Sequence, residues 1–254
     1  MKASLPMSFE LSSSGPLIGP KDDGYARAGI KEPSTINTAK ESGYHLGVVY
    51  LSFPDFNEAN SATFHYLDQT LIETGYRAAP EVFYFGPHKL WYLVYQNGNA
   101  AYCTNSDISN PAGWSAPKNF FSSMPNDNGH LYRSQTSLGN FPNGMENTAI
   151  ALQDMNIYAS FEASNVYSTG NGEYLLLIEA IGSDDASYFR SWTSASLSGA
   201  WTSLADTEVL PFVRSNNVIH GEMIRTNGVD PNATGDYTAM PWKLGILTQA
   251  NCGC

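Results

Sequence analysis

The sequence predicts an all-β fold, and three observations support this class. Charged residues make up 15% of the 254 residues and aromatic residues 13%, with 22 Gly and 14 Pro. Such a composition suits short strands and tight turns. No long stretch shows the apolar period of 3.6 residues that an amphipathic helix requires. Finally, one short pattern recurs along the chain, whose length allows one large all-β domain or two small ones.

The recurring pattern is an aromatic or aliphatic residue, any residue, and then Ser or Thr at the end of a predicted strand. A period of about fifty residues is typical of four-stranded blades arranged around an axis. The sequence therefore predicts a five-bladed β-propeller over 30–254, after an irregular Ser/Gly/Pro-rich lead-in over 1–29, unless the repeat is accidental. The five copies are Tyr50-Leu51-Ser52, Tyr102-Cys103-Thr104, Tyr132-Arg133-Ser134, Phe189-Arg190-Ser191 and Ile246-Leu247-Thr248.

A second series of residues marks where the first strand of each blade is expected to begin. Its members are Lys31-Glu32-Pro33, Arg77-Ala78-Ala79-Pro80, Phe161-Glu162-Ala163 and His220-Gly221-Glu222. The interval between the second and third members is about twice as long as the others, and the second and third copies of the first pattern stand unusually close together. Both irregularities predict a truncated third blade around Met124–Asn128.

The clearest predicted hairpin spans Phe161–Tyr167 and Gly172–Ala180, joined by a Gly-containing turn. Glu162 opens the first of these strands. It is either an ordinary surface carboxylate or one held at the mouth of a β-fold. In a propeller the first strands begin near one end of the axis. A single pocket is therefore expected to contain Lys31, Glu32, Arg77, Glu162 and His220.

Two carboxylates on opposite sides of a pocket are what glycoside hydrolysis requires. One donates a proton to the leaving oxygen, and the other activates water or attacks the sugar.

The net charge of −11, from 24 acidic and 13 basic residues, disfavours binding to nucleic acid or to an anionic membrane. A neutral, sugar-like partner is expected instead. The chain has no apolar run long enough for a transmembrane helix and no apolar segment typical of a signal peptide near Met1.

The three cysteines, Cys103, Cys252 and Cys254, are too few for a disulfide scaffold and lack the spacing of a zinc site. The last two frame one glycine and are interpreted as a feature of the tail. The sequon Asn232-Ala233-Thr234 is compatible with secretion.

Several segments closely resemble glycoside hydrolase family 62, the α-L-arabinofuranosidases. The resemblance implies a five-bladed propeller and removal of arabinofuranosyl side groups from arabinoxylan by an inverting mechanism. It also implies an extracellular location, a structural calcium ion and, if the chain folds, a monomer. The segments are Ser12–Ile18, Gly75–Pro80, Phe161–Tyr167, His220–Arg225 and Gly235–Tyr237.

The resemblance also assigns roles to single residues. Glu162 matches the general acid, and Glu32 occupies the position of the general base, where the family has Asp. Lys31, Arg77 and Tyr237 match substrate-binding positions, although Tyr237 could simply cap a strand. His220 lies where the related fold places a histidine near an axial calcium ion, but it could equally be a hydrogen-bonded core histidine.

The chain also departs from the family. Only Ser34–Lys40 stands where the family has a strand pair and a Gly turn. By the resemblance, a long segment is missing between Ser123 and Asp127, another piece between Val218 and Ile219, and a further one near Asn227-Gly228. The resemblance implies that the long segment carries a third carboxylate, an Asp that tunes the pKa of the general acid.

Three interpretations follow from these departures. The chain is an impaired arabinofuranosidase, a catalytically inactive carbohydrate-binding propeller, or an unstable product whose ring never closes. Absent strands would leave apolar faces and strand edges exposed, which would lower solubility or cause dimerisation.

Overall fold

The computed structural model describes most of the chain, and its strands pair only in antiparallel fashion within that part. Helical residues of the described part form short 3-10 turns at Phe56–Ser61, Leu67–Gln69, Pro111–Gly113 and Ile157–Ala159. None of these is long and apolar enough to cross a membrane. The described residues are 11–13, 17–19, 21–24, 29–31, 35–40, 43–54, 56–123, 129–145, 147–170, 172–209, 211, 213–214 and 247–249.

The strands of the described residues, numbered in chain order, form five sheets. The N-terminal strand β1 (Leu11–Ser13) pairs with the C-terminal strand β17 (Leu247–Gln249). The first sheet of the intervening chain contains β2 (Gly29–Lys31), β3 (Thr35–Lys40), β4 (Gly43–Tyr50) and β5 (His65–Tyr66). The second contains β6 (Ala78–Phe85), β7 (Leu90–Gln96), β8 (Ala100–Asn105) and β9 (Lys118–Asn119).

The third sheet is shorter than its neighbours. It contains only β10 (His130–Ser134) and β11 (Thr148–Gln153) among the described residues. The fourth sheet contains β12 (Ser164–Gly170), β13 (Glu173–Ile181), β14 (Ser187–Ser194) and β15 (Thr202–Ala205), with β16 (Val213–Arg214) also paired to β14. The two-stranded sheet lies where the sequence predicted a truncated blade.

Each copy of the repeated pattern lies in a different sheet. The third copy ends β10, as the pattern predicted, whereas the first copy begins at Tyr50, the last residue of β4, and continues beyond that strand. The second and fourth copies lie inside β8 and β14, and the described residues of the fifth lie in β17. The repeat therefore marks one strand in every sheet, although not always the end of that strand.

Successive sheets pack face to face, because their central strands are apolar on both sides. In β7, Tyr92 faces the third sheet, whereas Leu93 and Tyr95 face the first. In β13, Leu176 and Ile178 pack against the third sheet, and Leu175 and Leu177 line the opposite face. The period of two residues in a strand thus gives β7 and β13 an apolar row on each face.

The short third sheet still contributes to two of these interfaces. Leu131 of β10 and Leu152 of β11 pack against Leu176 and Ile178 of the fourth sheet. On the other side, Phe141 lies between β10 and β11 in sequence. Its ring centroid is 4.7 Å from that of Phe85 and 5.0 Å from that of Tyr92 in the second sheet.

One prediction about the first sheet was wrong. Lys31 ends β2 rather than preceding a blade's first strand, because it pairs with Thr35 of β3. The connection between these paired residues contains Pro33, which cannot donate a ladder hydrogen bond. The segment Thr35–Lys40 forms β3, so the first sheet has four strands within the described residues.

Part of the predicted lead-in packs against the first sheet. Ile18 is buried together with Val49, Ala59 and Tyr66. The Gly19 N–H donates to Asn60 Oδ1 at 3.0 Å. The division of the chain into a lead-in over 1–29 and a domain over 30–254 stays a prediction.

Leu176→Ala should destabilise the protein strongly, because the side chain is 1% exposed between the third and fourth sheets. A loss of about 2–5 kcal/mol in the free energy of unfolding is expected, measured by urea titration. Leu138→Ala is the matched control, since Leu138 is 72% exposed and should lose within about 0.5 kcal/mol. Equal losses in the two variants would contradict the burial of Leu176 between the third and fourth sheets.

Candidate active site

Glu162 lies at the entrance to the β12–β13 hairpin, as the sequence predicted. Its N–H donates to the carbonyl of Glu179 at 3.2 Å, and the N–H of Glu179 donates to the carbonyl of Ala163 at 2.8 Å. These two bonds extend the strand pairing past Ser164, which pairs with Ile178. The backbone of Glu162 is therefore held by a buried strand, while its side chain is exposed.

Side chains alternate between half-buried and exposed along β12. Glu162 shares the exposed side with Ser164 and Val166, whereas Phe161 and Ala163 face inward. This alternation follows from the two-residue period of a strand. A carboxylate in this position can exchange protons with solvent or with a bound molecule.

Arg77 precedes β6, and its described contacts tie it to its own loop. Its Nη1 donates to the carbonyl of Tyr76 at 2.9 Å, and its Nη2 donates to the carbonyl of Ile72 at 3.0 Å. The guanidinium carbon lies 5.6 Å from the centre of the Tyr95 ring. The side chain is thus fixed at the start of the second sheet, and its predicted contact with substrate stays a prediction.

Gly75 permits this placement of Arg77. Its φ is +149°, which L side chains rarely adopt, and a Cβ here would stand 2.8 Å from Arg77 Nη1. The glycine therefore gives the guanidinium room beside the backbone.

The remaining predicted site residues are only partly described. The backbone of Lys31 ends β2, and its side chain lies outside the described part. Glu32, His220 and Tyr237 lie outside the described residues altogether. Within the described ranges, no group of three His, Cys, Asp or Glu side chains could hold a metal ion. The described contacts of Arg77 are with its own loop and with Tyr95 of β7, whereas those of Glu162 are with Glu179 of β13, and no described contact joins the two residues.

Sequence comparison identifies the family. The sequence profile described as Glycosyl hydrolase family 62 matches residues 32–125 and 123–227. This chain belongs to glycosyl hydrolase family 62. The two matched segments meet at 123–125, where the sequence predicted that a long family segment is missing.

A curated relative aligns with most of this chain. It is 37% identical over 297 residues to alpha-L-arabinofuranosidase C of Cellvibrio japonicus (strain Ueda107), an alignment that covers 93% of this chain and 46% of that protein. The chain therefore spans about half the length of this curated relative. The alignment is also longer than the 254 residues of this chain, so the relative contains residues that this chain lacks.

Two solved structures of family 62 are similar over nearly the whole chain. The catalytic domain of Coprinopsis cinerea GH62 alpha-L-arabinofuranosidase is 49% identical with a TM-score of 0.87, covering 98% of this chain and 100% of that one. A GH62 hydrolase in complex with xylotriose is 43% identical with a TM-score of 0.84, covering 96% of this chain and 98% of that one.

Sequence reasoning missed Arg190, which is only 4% exposed in β14. Its Nε donates to the carbonyl of Asp206 at 2.9 Å, and its guanidinium carbon lies 4.8 Å from the centre of the Trp192 ring. A signal was present, because Arg190 is the one charged residue in the strand Ser187–Ser194. A charge in a buried strand must be paired. The sequence does not show which residues pair with it.

Cys103 is a buried free thiol that lies 3.4 Å from Tyr95 Oη. Burial raises the pKa of the Cys103 thiol above its ordinary value of 9.0. Burial likewise raises the pKa of Tyr95, with a further contribution from the hydrogen bond to Cys103. Both groups stay protonated in the folded protein at a pH where the unfolded chain has begun to lose these protons.

Stability should therefore fall as pH rises above about 9, because the unfolded chain then binds fewer protons than the folded one. Tyr95→Phe should make this fall shallower between pH 9 and 11, while costing about 1 kcal/mol near neutral pH through the lost hydrogen bond. Urea unfolding at several pH values measures both effects. Tyr84→Phe, at an exposed tyrosine, is the matched control. Identical slopes in the parent chain and Tyr95→Phe would contradict the prediction.

Proposed function

We propose that this chain is an α-L-arabinofuranosidase that removes arabinofuranosyl side groups from arabinoxylan, at a low rate. The observation that carries the proposal is the family-62 match across 32–227, together with the exposed Glu162 on a fixed strand entrance. The complex of a family member with xylotriose supports the substrate, because xylotriose is a short xylan main chain. The relative from Coprinopsis cinerea is an alpha-L-arabinofuranosidase, which supports the activity.

The proposed reaction is an inverting hydrolysis with one acid and one base. Glu162 gives its proton to the glycosidic oxygen as the bond from that oxygen to the arabinose C1 breaks. Glu32 takes a proton from a water molecule, whose oxygen attacks C1 from the opposite face. The products are free arabinose and a xylan hydroxyl. Inversion needs the two carboxyl groups roughly 6.5–9.5 Å apart, with a water molecule between base and sugar.

Substrate binding is assigned to Lys31, Arg77 and Tyr237. The fixed guanidinium of Arg77 supports this role, since a pre-ordered donor loses little entropy when it binds a sugar hydroxyl. A structural calcium ion near His220 and an extracellular location rest on family membership alone. No step of the proposed reaction uses the ion.

The overall form proposed is a closed, monomeric five-bladed propeller. The face-to-face order of the sheets supports this form, as does the pairing of β1 with β17, which joins the two ends of the chain. The fourth sheet also has buried apolar side chains on both faces, as a blade between two neighbouring blades requires.

A catalytically inactive sugar-binding protein is the second candidate. It is favoured by the two-stranded third sheet and by the break in the family match at 123–125. By resemblance, the missing segment carries the third carboxylate. Arabinose release from arabinoxylan separates the two candidates, because only the first produces free sugar.

Glu162→Gln should lower any arabinose release by about 10²–10⁴-fold, because the leaving oxygen loses its proton donor. Arabinose released from arabinoxylan by the purified variants is the measurement. Glu58→Gln serves as the control, since Glu58 is an exposed carboxylate in the 3-10 turn Phe56–Ser61 and should keep full activity. Retained activity in Glu162→Gln would remove this residue from the mechanism.

Glu32→Asp should recover little activity, whereas restoring the missing segment after Ser123 should recover much more. The longer side chain misplaces the base by about one bond, and a shift near 1 Å can cost roughly 10²-fold. Loss of the segment after Ser123, by resemblance, removes the whole third carboxylate. The measurement is the rate of arabinose release by the Glu32→Asp variant and by the chain with the restored segment, each compared with the parent chain. Parent activity equal to that of full-length relatives would show that these defects have no effect.

A further inference from the structure

We infer that Arg190 is a positioning residue that holds the segment 154–161 and thereby places Glu162. The inference rests on the function proposed above for Glu162. No contact between Arg190 and the substrate is proposed. It acts through the backbone that enters the β12–β13 hairpin.

Arg190 binds the segment before Glu162 at two points. Its Nη1 donates to the carbonyl of Ala159 at 2.6 Å, and its Nη2 pairs with Asp154 Oδ2 at 2.8 Å. Its guanidinium carbon also lies 5.3 Å from the ring centre of Phe161, the residue before Glu162. A buried guanidinium with three donating nitrogens in a planar fork fixes several partners at once.

Asp154 extends this hold to the 3-10 turn Ile157–Ala159. Its Oδ1 accepts the N–H of Asn156 at 3.0 Å, while Oδ2 binds Arg190. Asn156 in turn caps the turn, because its Oδ1 accepts the N–H of Tyr158 at 3.1 Å. Arg190 thus reaches both the start of the turn, through Asp154, and its last residue, Ala159.

A second side chain of β14 reinforces the same segment. The hydroxyl of Tyr188 donates to the carbonyl of Tyr158 at 2.7 Å. Tyr188 and Arg190 are two residues apart in one strand, so they project from the same face of the fourth sheet. The segment before Glu162 is therefore fixed by β14, and the residues after it are fixed by β13.

Only Ser160 and Phe161 separate the anchored carbonyl of Ala159 from Glu162. A shift of the turn would therefore be transmitted to the carboxylate over a few bonds. A displacement near 1 Å can cost roughly 10²-fold in rate when it moves a reacting group. The loss should fall on proton donation and not on sugar binding.

The test compares Arg190→Lys with the parent chain on two substrates. Lysine keeps the charge but cannot bind Ala159, Asp154 and Asp206 in the same planar fork. On arabinoxylan, whose leaving oxygen needs a proton, kcat should fall about 10–10²-fold with KM unchanged. On 4-nitrophenyl α-L-arabinofuranoside, whose leaving group departs without a proton, the fall should be no more than about 3-fold. Equal losses on both substrates would overturn the positioning role.

Arg133→Lys is the matched control. Arg133 also donates to a backbone carbonyl, that of Leu197 at 3.2 Å, but this carbonyl lies outside 154–161. Asp154→Asn is a gentler variant for the case in which Arg190→Lys does not fold, since Asp154 is 31% exposed. It should show the same difference between the two substrates, and the Arg133 variant should not.

Hydrogen–deuterium exchange supplies a readout that does not depend on turnover. Exchange in 154–163 should speed up in Arg190→Lys and Asp154→Asn, while exchange in β7 and β8 stays unchanged. Unchanged exchange in 154–163 would overturn the inference whatever the activity. If the parent chain releases no arabinose, the proposed function fails, yet the exchange result still decides whether Arg190 holds the segment of Glu162.

Discussion

The face-to-face packing of successive sheets is the constraint on which the rest of this structure depends. The central strands β7 and β13 are buried on both sides, and the described clusters place other sheets against both faces of β7 and against one face of β13. Each strand contributes apolar rows of Leu and aromatic side chains whose burial is worth about 25 cal/mol per Å². A site residue that lies on such a strand, or is hydrogen-bonded to it, therefore has a fixed backbone.

The position of Glu162 follows from this constraint. Its N–H is bonded to Glu179, which is 1% exposed in β13. The strand cannot shift without disturbing Leu176 and Ile178, which are packed against the third sheet. Rigid elements of this kind hold a functional group more accurately than a free loop does. The exposed carboxylate therefore combines access to solvent with a backbone that is not free to move.

Patterns between nearby residues made much of this fold predictable. The hairpin of β12 and β13 was predicted within a few residues, and each of the five repeat copies lies in its own sheet. Contacts between distant residues were not predictable. Arg190 meets Ala159 and Asp154, 31 and 36 positions away, and no local period records such partners. The prediction that Lys31 precedes a strand was wrong for a related reason, since hydrogen-bond pairing with Thr35 decides where β2 ends.

The two-stranded third sheet of the described residues shows that apolar packing and proton transfer place different demands on the chain. Burial of apolar surface has no preferred direction, so Leu131 and Leu152 of a two-stranded sheet can still cover one neighbour. On the other side, Phe141 reaches the aromatic side chains of the second sheet from the connection between the two strands. Proton transfer has no such tolerance, because it needs a particular carboxyl group at a particular place. The packing of the sheets therefore depends on apolar area, whereas the proposed proton transfer depends on the positions of single carboxyl groups.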